Sequence, residues 1–343
     1  MLSLNDHLAG WKPGRMRVLI VGGGIAGLTL AALLRKQGVD PVIVERAASF
    51  DEAGYSIGVY PIRSRVLYGL GVHDEFMDVS APYDFYELHD GTGVDVTFHD
   101  GSKARFDLVV AADGIHSTTR AQLLEKEEYE MYDSGWGTWV VWTNEPLAAP
   151  GTTKEFWGAG HFLGIYPVKG ALMACFGGPK RIALDQSLGT LADRARKLFA
   201  EMDPAIADPV IAALEKDPNP FFWDLHDYRS KTWYRGRVVL VGDAAAGFLP
   251  TAGIGASMAL NGAASLADEL TRTDAKYLDV ALRAYERRQK TRTEKAQTLS
   301  RELGKFMLME SRTASRLRDE FSKFYTAHQF AHDTLALMES EIS

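Results

Sequence analysis

Gly22, Gly24 and Gly27 fall in the spacing Gly-x-Gly-x-x-Gly directly after the apolar run Val18-Leu19-Ile20-Val21. Gly22 allows a tight turn, Gly24 lets backbone N–H groups approach a pyrophosphate with no Cβ in the way, and Gly27 lets the next helix pack closely on the strand. That helix begins with Ile25 and Ala26, and its N-terminus presents unpaired donors and the positive end of its dipole to an anion. A second apolar run, Val42-Ile43-Val44, delivers Glu45 to its carboxyl end. A carboxylate there can accept hydrogen bonds from both hydroxyls of an adenosine ribose, which suits FAD or NAD over NADP.

Two further polar turns follow apolar strands. Leu108-Val109-Val110-Ala111-Ala112 runs into Asp113-Gly114, and Arg237-Val238-Val239-Leu240-Val241 runs into Gly242-Asp243. After the latter, Pro250 and Gly253-Ile254-Gly255-Ala256 lead into a helix expected to reach about Leu270, a second helix N-terminus suited to an anion or polar ring. His161 and Tyr166 are the ionisable candidates for polarising a phenol. His328 and His332 have metal-ligand spacing, but Gln329 stands where a metalloprotease places Glu, so no metal is expected. The lone Cys175 lies in the apolar run Ala171–Phe176 and reads as packing.

Strand, glycines, helix and second strand make a βαβ dinucleotide unit, with Ile25, Leu28 and Leu33 expected to face inward. Residues 1–15 read as an extension, and a Gly54–Gly58 loop and a helix bearing Val66, Leu67 and Leu70 follow the unit. Val94–Phe98 pairs with Ala104–Asp107 across a turn at Asp100-Gly101, and the return strand is expected to continue through Leu108–Ala112. From 121 to 235 the pattern changes to alternating aromatic strands with a helix near 187–201. Trp139, Trp157, Phe162 and Tyr166 are candidates to line a cavity for an apolar, ring-shaped ligand. The fold class is α/β: a Rossmann-type nucleotide-binding domain, an inserted mostly antiparallel β substrate domain, and C-terminal helices. The boundaries are 1–120 and 236–275 for the first domain, 121–235 for the second and 276–343 for the helices, with Leu299, Leu303 and Phe306 on one stripe and Phe321 and Phe324 beginning another.

With 343 residues, 46% apolar and 24% charged, the chain suits about two globular domains. A net charge of −7 argues against a nucleic-acid partner. No run of eighteen apolar residues exists, so no membrane partner is expected; Asp6, His7 and Lys12 interrupt the first fifteen residues, and a cytoplasmic location is expected.

Taken in order, Gly22-x-Gly24-x-x-Gly27 with Glu45-Arg46, then Asp113-Gly114-Ile115-His116-Ser117-Thr118-Thr119-Arg120, then Gly242-Asp243-Ala244-Ala245 with Pro250 and Gly253-x-Gly255, resemble the class A flavoprotein monooxygenases, the para-hydroxybenzoate hydroxylase-like family. The resemblance implies bound FAD, NAD(P)H as co-substrate, and oxygen addition through a C4a-hydroperoxyflavin to hydroxylate an aromatic or other electron-rich small molecule, in a monomer or homodimer. It places Asp243 at the ribityl chain or pyrophosphate and the Gly253–Ser257 backbone, including Ile254, Gly255 and Ala256, at the flavin ring. It assigns Asp113, Gly114 and Arg120 to a motif linking FAD binding to NAD(P)H use, and Asp113 and Arg120 also read as an ion pair closing the turn. Ala246 stands where the family usually has His, and Ile254 and Ser257 replace Gln and Asn. Between the first helices and the Val94 strand the family has on the order of sixty or more residues, including an Arg-x-x-Leu helix that touches FAD, far beyond an ordinary loop; here Gly91-Thr92-Gly93 bridges the gap, with the junction at Gly93-Val94. The alternatives are a related flavin reductase or dehydrogenase without oxygen insertion and a non-catalytic flavin-binding protein. Trp136-Gly137-Thr138-Trp139 does not continue into the flavin-dependent halogenase pattern.

Overall fold

The structure is a computed structural model that describes residues 16–46, 93–98, 102–143, 145, 147–148, 152–168, 171–217 and 220–322. The expectations for residues 1–15, the Gly54–Gly58 loop, the Val66 helix, Gly91-Thr92, the Asp100-Gly101 turn, Phe324, His328 and His332 lie outside these residues. Two compact units form: one from the described residues of 16–132 together with 227–297, the other from those of 133–226 with 298–322.

The first unit begins with β1 (Val18–Val21), α1 (Ile25–Lys36) and β2 (Val42–Val44). All four β1 side chains are buried, as befits a strand covered on both faces. The helix turns a different face inward from the one its sequence suggests. Ala26, Leu30, Ala31 and Leu34 are buried, whereas Ile25, Leu28 and Leu33 are only partly so. Gly27 sets this rotation: a Cβ there would come within 2.0 Å of the Gly22 carbonyl oxygen and 3.2 Å of the Ile20 side chain. Position 27 therefore presses on the strand, and positions 30, 31 and 34 follow it on the same face.

A two-stranded ribbon follows, β3 (Val94–Thr97) antiparallel to β4 (Lys103–Phe106). The return strand does not simply run on. It breaks at Asp107, and β5 (Leu108–Ala111) changes partner to lie parallel to β1. Arg17 causes the break: its backbone N–H donates to the Asp107 carboxylate at 2.8 Å and its guanidinium at 3.2 Å, pulling the chain out of the ribbon. A short α2 (Thr118–Leu123) then leads to β6 (Tyr129–Thr143).

The second unit is built on β6, β7 (Lys154–Trp157), β8 (Phe162–Val168), β9 (Ala171–Pro179) and β10 (Phe221–Ser230), in sheet order β10-β6-β9-β8-β7. The helix expected near 187–201 is a one-turn 3-10 helix at Gln186–Leu188 and then α3 (Leu191–Leu198), split at Gly189 with φ +94°. Thr190 and Asp193 form a reciprocal cap that starts α3. Sequence reading gave no helix at α4 (Pro204–Lys216), although Asp203 caps it and Pro204 opens it; Pro209 in its interior masks the pattern.

Register divides this sheet into two faces. Trp139, Val141, Leu163, Ile165, Ala174 and Phe176 share one face and pack with α3 and α4. Trp157, Phe162 and Tyr166 fall on the other. The expected cavity of four aromatic residues therefore loses Trp139, whose ring packs on Phe222 at 4.7 Å, because a strand's successive side chains point to opposite faces.

The end of α6 (Leu278–Met307) and α7 (Arg312–Ser322) belong to the second unit, while β11 (Tyr234–Arg235), β12 (Val238–Leu240), α5 (Gly255–Thr271) and the rest of α6 complete the first. Its sheet order is β11-β12-β5-β1-β2, with β12, β5, β1 and β2 parallel. On α6, Leu299, Leu303 and Phe306 are only half-buried, while Ala296, Ser300 and Met307 carry the buried stripe. Phe321 on α7 is 55% exposed, so it begins no buried stripe.

Overpacking at a position in backbone contact typically costs about 1–3 kcal/mol. Gly27→Ala is expected to lower the unfolding free energy of the apo-protein, measured by urea titration, by that order, and an unchanged value would show that α1 can move off β1 without cost.

Candidate active site

Three parallel strands set the geometry. Val21 pairs with Ala111, and Ala111 with Leu240, so β1, β5 and β12 end in one level row. Gly22, Asp113 and Asp243 leave from that row within a residue or two of each other. The packing is backbone to backbone: a Cβ on Gly22, whose φ is +105°, would lie 2.3 Å from the Ala112 carbonyl oxygen and 2.9 Å from the Asp113 nitrogen. One on Gly242, φ +62°, would lie 2.8 Å from the Ala26 Cβ. Such a row at the carboxyl ends, where the strand order reverses, is where open α/β sheets hold their ligands.

Glu45 joins the group from β2. Its Oε2 accepts a hydrogen bond from the Gly23 N–H at 2.6 Å, which fixes the carboxylate beside the glycine turn. Arg46 is exposed next to it. At Gly24, which caps α1 with no side-chain bond, a Cβ would meet nothing within 4 Å. The helix N-terminus therefore opens onto free space, as a bound diphosphate requires. Pro250 opens a one-turn 3-10 helix that ends at Gly253, φ +65°, and α5 starts beyond it with Ile254 as N-cap and again no side-chain cap. Gly255 and Ala256 lie in its first turn, whose N–H groups have no acceptor within the helix.

Asp113 and Arg120 do not bond to each other in the way an ion pair closing the turn would. Asp113 instead accepts from the Ser117 hydroxyl at 2.5 Å and the Thr119 N–H at 3.0 Å, while Ser117 caps α2 by accepting from the Arg120 N–H. The Arg120 guanidinium, 3% exposed, donates to the carbonyls of Ile115 at 2.7 Å, Ala244 at 3.1 Å and Asp243 at 3.4 Å. It lies 4.1 Å from the Tyr228 ring centre and 5.3 Å from that of Tyr129. Burial pulls the Arg120 pKa down, and Tyr228, Asp113, Tyr129 and Asp243 oppose that shift. One buried cation thus ties the second motif to the backbone of the third. Burial pushes the Asp243 carboxyl up to about 6, and Arg120 offsets only part of that shift.

Tyr228 and Tyr129 were not legible as site residues; nothing in an alternating strand marks a ring as the partner of a distant Arg. Ser117, three residues before Arg120, carried a readable N-cap signal. Ala246 is buried and bridges to Arg229 in an isolated antiparallel pair, and Ile254 and Ser257 are fully buried, so none of the three departures leaves an exposed side chain. His161 and Tyr166 belong to the second unit. Burial lowers the His161 pKa, and its ring covers Gly158 and meets Phe199 edge-on. Burial and the Glu155 carboxylate raise the Tyr166 pKa far above the phenol range, and its hydroxyl donates to Glu155 at 2.7 Å. Tyr166 is therefore a neutral phenol with its proton committed.

A family model described as "FAD binding domain" matches residues 15–93 and 86–300. The chain belongs to this family of FAD-binding proteins. It is a para-hydroxybenzoate hydroxylase-like class A flavin monooxygenase, and its named relatives are FAD-dependent hydroxylases and monooxygenases, not reductases. This flavoprotein is 27% identical over 331 residues to the FAD-dependent urate hydroxylase of Klebsiella pneumoniae, covering 79% of this chain and 85% of that one. It is 28% identical over 313 residues to the 3-amino-4-hydroxybenzoate 2-monooxygenase of Streptomyces cremeus, covering 73% and 77%. The crystal structure of Klebsiella pneumoniae HpxO complexed with FAD and uric acid shares its fold, with a TM-score of 0.81 at 24% identity over 95% of this chain and 98% of that one.

The expected shortening also appears. Of 343 residues, 79% is about 271, so about sixty of the 331 positions aligned with the Klebsiella enzyme have no residue here. The two family matches meet at residues 86–93, beside the Gly93-Val94 junction. The residues in the first unit fit FAD: a carboxylate for a ribose, an open glycine turn and helix end for a diphosphate, and a second uncapped helix end. Among the described residues no group of three or more His, Cys, Asp or Glu could hold a metal ion, and no helix is long and apolar enough to cross a membrane.

Arg120→Lys keeps the charge but not the planar fork, and is expected to weaken FAD binding by about tenfold or more, measured by flavin fluorescence titration. Tyr228→Leu should do so to a smaller degree. A raised folded-state pKa means that folded Asp243 holds a proton that the unfolded chain has already released, so apo-protein stability falls as pH rises from about 4 to about 6. Asp243→Asn is expected to remove that decline and to raise the apo Tm at pH 8 by about 2–4 °C, read by differential scanning fluorimetry across pH.

Proposed function

We propose that this FAD-dependent monooxygenase hydroxylates a small aromatic or otherwise electron-rich molecule, with NADH or NADPH reducing the flavin and dioxygen supplying the inserted atom. The convergence of the three motifs at one row of strand ends carries the reading, since that row offers every group a dinucleotide flavin needs. In this reading Gly22, Gly24, Ile25, Ala26 and Gly27 hold the diphosphate, and Glu45 and Arg46 the adenosine end. Asp113 and Arg120 brace the Gly242-Asp243 turn, and Asp243 takes the ribityl side. The backbone from Pro250 through Gly253, Ile254, Gly255 and Ala256 holds the ring, where N–H donors stabilise negative charge on reduced flavin. Bound FAD supplies the redox chemistry and the activation of oxygen; the protein supplies orientation and exclusion of water. The names of the urate and aminohydroxybenzoate relatives support a ring-shaped substrate. His161, neutral at pH 7 through its lowered pKa, and Tyr166, a neutral phenol, act by orienting the ring and not as strong bases.

The test is stopped-flow absorbance at 450 nm on the FAD-loaded protein with NADH and NADPH in turn, with and without candidate phenols. The expected result is flavin reduction accelerated by a phenol and oxygenated product after air is admitted. Rapid reduction without a phenol, with hydrogen peroxide as the sole oxygen product, would point to an oxidase or reductase instead.

A further inference from the structure

On the face of the second unit's sheet turned away from α3 and α4, which also carries Thr138 and Trp142, one carboxylate gathers two donors. Register places Glu155 and Trp157 of β7 and Phe162, Gly164 and Tyr166 of β8 on it. Glu155 is exposed and sits directly across from Gly164. Its Oε1 accepts the Tyr166 hydroxyl proton at 2.7 Å and its Oε2 accepts the Trp157 indole N–H at 2.9 Å. Gly164 makes this possible: a Cβ there would lie 2.4 Å from the Tyr166 hydroxyl oxygen, so only glycine lets the ring fold across the strand to reach Glu155.

The donor inventory then decides what the face can bind. The Tyr166 proton and the Trp157 N–H are both used internally, whereas each carboxylate oxygen and the phenolic oxygen keep lone pairs. What the Glu155–Tyr166–Trp157 cluster offers to a ligand is a set of acceptors with a negative charge. The residues that register places on this face in β6, β7, β8 and β9 include no Lys or Arg; Lys154 points to the opposite face, paired with Ile165. Arg318 lies 5.9 Å from the Trp157 ring centre, but its guanidinium is held by the Asp319 carboxylate and by the carbonyls of Met307 and Trp157. A ring carboxylate arriving here meets Glu155 while the Arg318 guanidinium is already engaged, and like charges at close range disfavour it.

We propose that the Glu155–Tyr166–Trp157 cluster is a specificity site that recognises a planar ring through its N–H or O–H donors and rejects rings carrying a carboxylate. The site rests on the reading of this chain as a ring-hydroxylating flavoprotein, from which it takes only that the ligand is a ring. The partly exposed Trp157 indole supplies apolar contact, and the acceptors set the orientation. The substrate class is thus an uncharged or cationic phenol, amide or N–H heteroaromatic.

The experiment is equilibrium dialysis of the FAD-loaded protein with 4-hydroxybenzamide and 4-hydroxybenzoate, which match in size and differ in offering an NH2 or a carboxylate. The amide is expected to bind at least about tenfold tighter. Glu155→Gln, which replaces one acceptor oxygen by a donor and removes the charge, should bring the two affinities within about threefold. Tyr166→Phe, a second variant that leaves Glu155 in place, should weaken the amide by about fivefold and keep the preference over the carboxylate. Equal or tighter binding of 4-hydroxybenzoate to the parent protein, an unchanged ratio in a Glu155→Gln variant that retains FAD, or no binding of either probe overturns the proposal. The same samples mixed with NADH separate the two readings. A retained amide preference with no ligand-stimulated flavin reduction by any phenol counts against the oxygenase and leaves the recognition site standing, and stimulated reduction with a reversed preference does the opposite.

Discussion

The closeness of three parallel strands at their carboxyl ends is the constraint on which the rest of the first unit depends. Where β1, β5 and β12 stop in one row, there is no room for a Cβ between Gly22 and the Ala112 carbonyl, or between Gly242 and Ala26. The glycines are there because the Ala112 backbone, in one case, and the Ala26 methyl, in the other, occupy the space a side chain would need. Buried apolar runs with no alternation, Val18–Val21, Leu108–Ala111 and Val238–Leu240, drive the strands together, since each is covered on both faces. The open approach at Gly24 beside the helix N-terminus is then a by-product of tight packing just below it.

Holding the ends level requires polar work as well. Arg120 is the main bond between turns that are more than a hundred residues apart in sequence. It is expensive to bury, and it persists because three carbonyls and two aromatic rings replace its water. Arg17 does the corresponding work on the opposite side of β5, pulling Asp107 out of the ribbon so that the next four residues can join the parallel sheet. Both cases use an arginine to change what the backbone does next. Neither acts as a surface ion pair, whose contribution would be small.

The second unit follows a different logic. Its sheet carries an apolar face under two helices and a mixed face on which Gly164 makes room for the Tyr166 ring, and before β8 the His161 ring covers Gly158. Rings laid over glycine are fixed in place at little cost in strain, which gives a recognition surface a defined shape. Its family relation to aromatic hydroxylases and its shortened connection near Gly93 are compatible because the junction lies beside β3, outside the parallel row and the sheet of the second unit.

The amino-acid sequence by itself determined the β1-glycine-α1-β2 unit, the three polar turns, the aromatic strands and the membership in an FAD-binding family. These are local patterns: an apolar run, a glycine spacing and a terminal acid each read within a dozen residues. Only the tertiary structure decided which face of α1 turns inward, that β4 and β5 part at Asp107, that Trp139 lies across the sheet from Tyr166, and that Arg120 grips carbonyls and rings instead of Asp113. Each of these depends on a partner distant in the chain. Helix rotation is set by a contact at Gly27, and strand face is set by register with a neighbour. A buried cation takes whichever acceptors the fold brings within 3.5 Å. Spacing along the chain carries no record of those meetings.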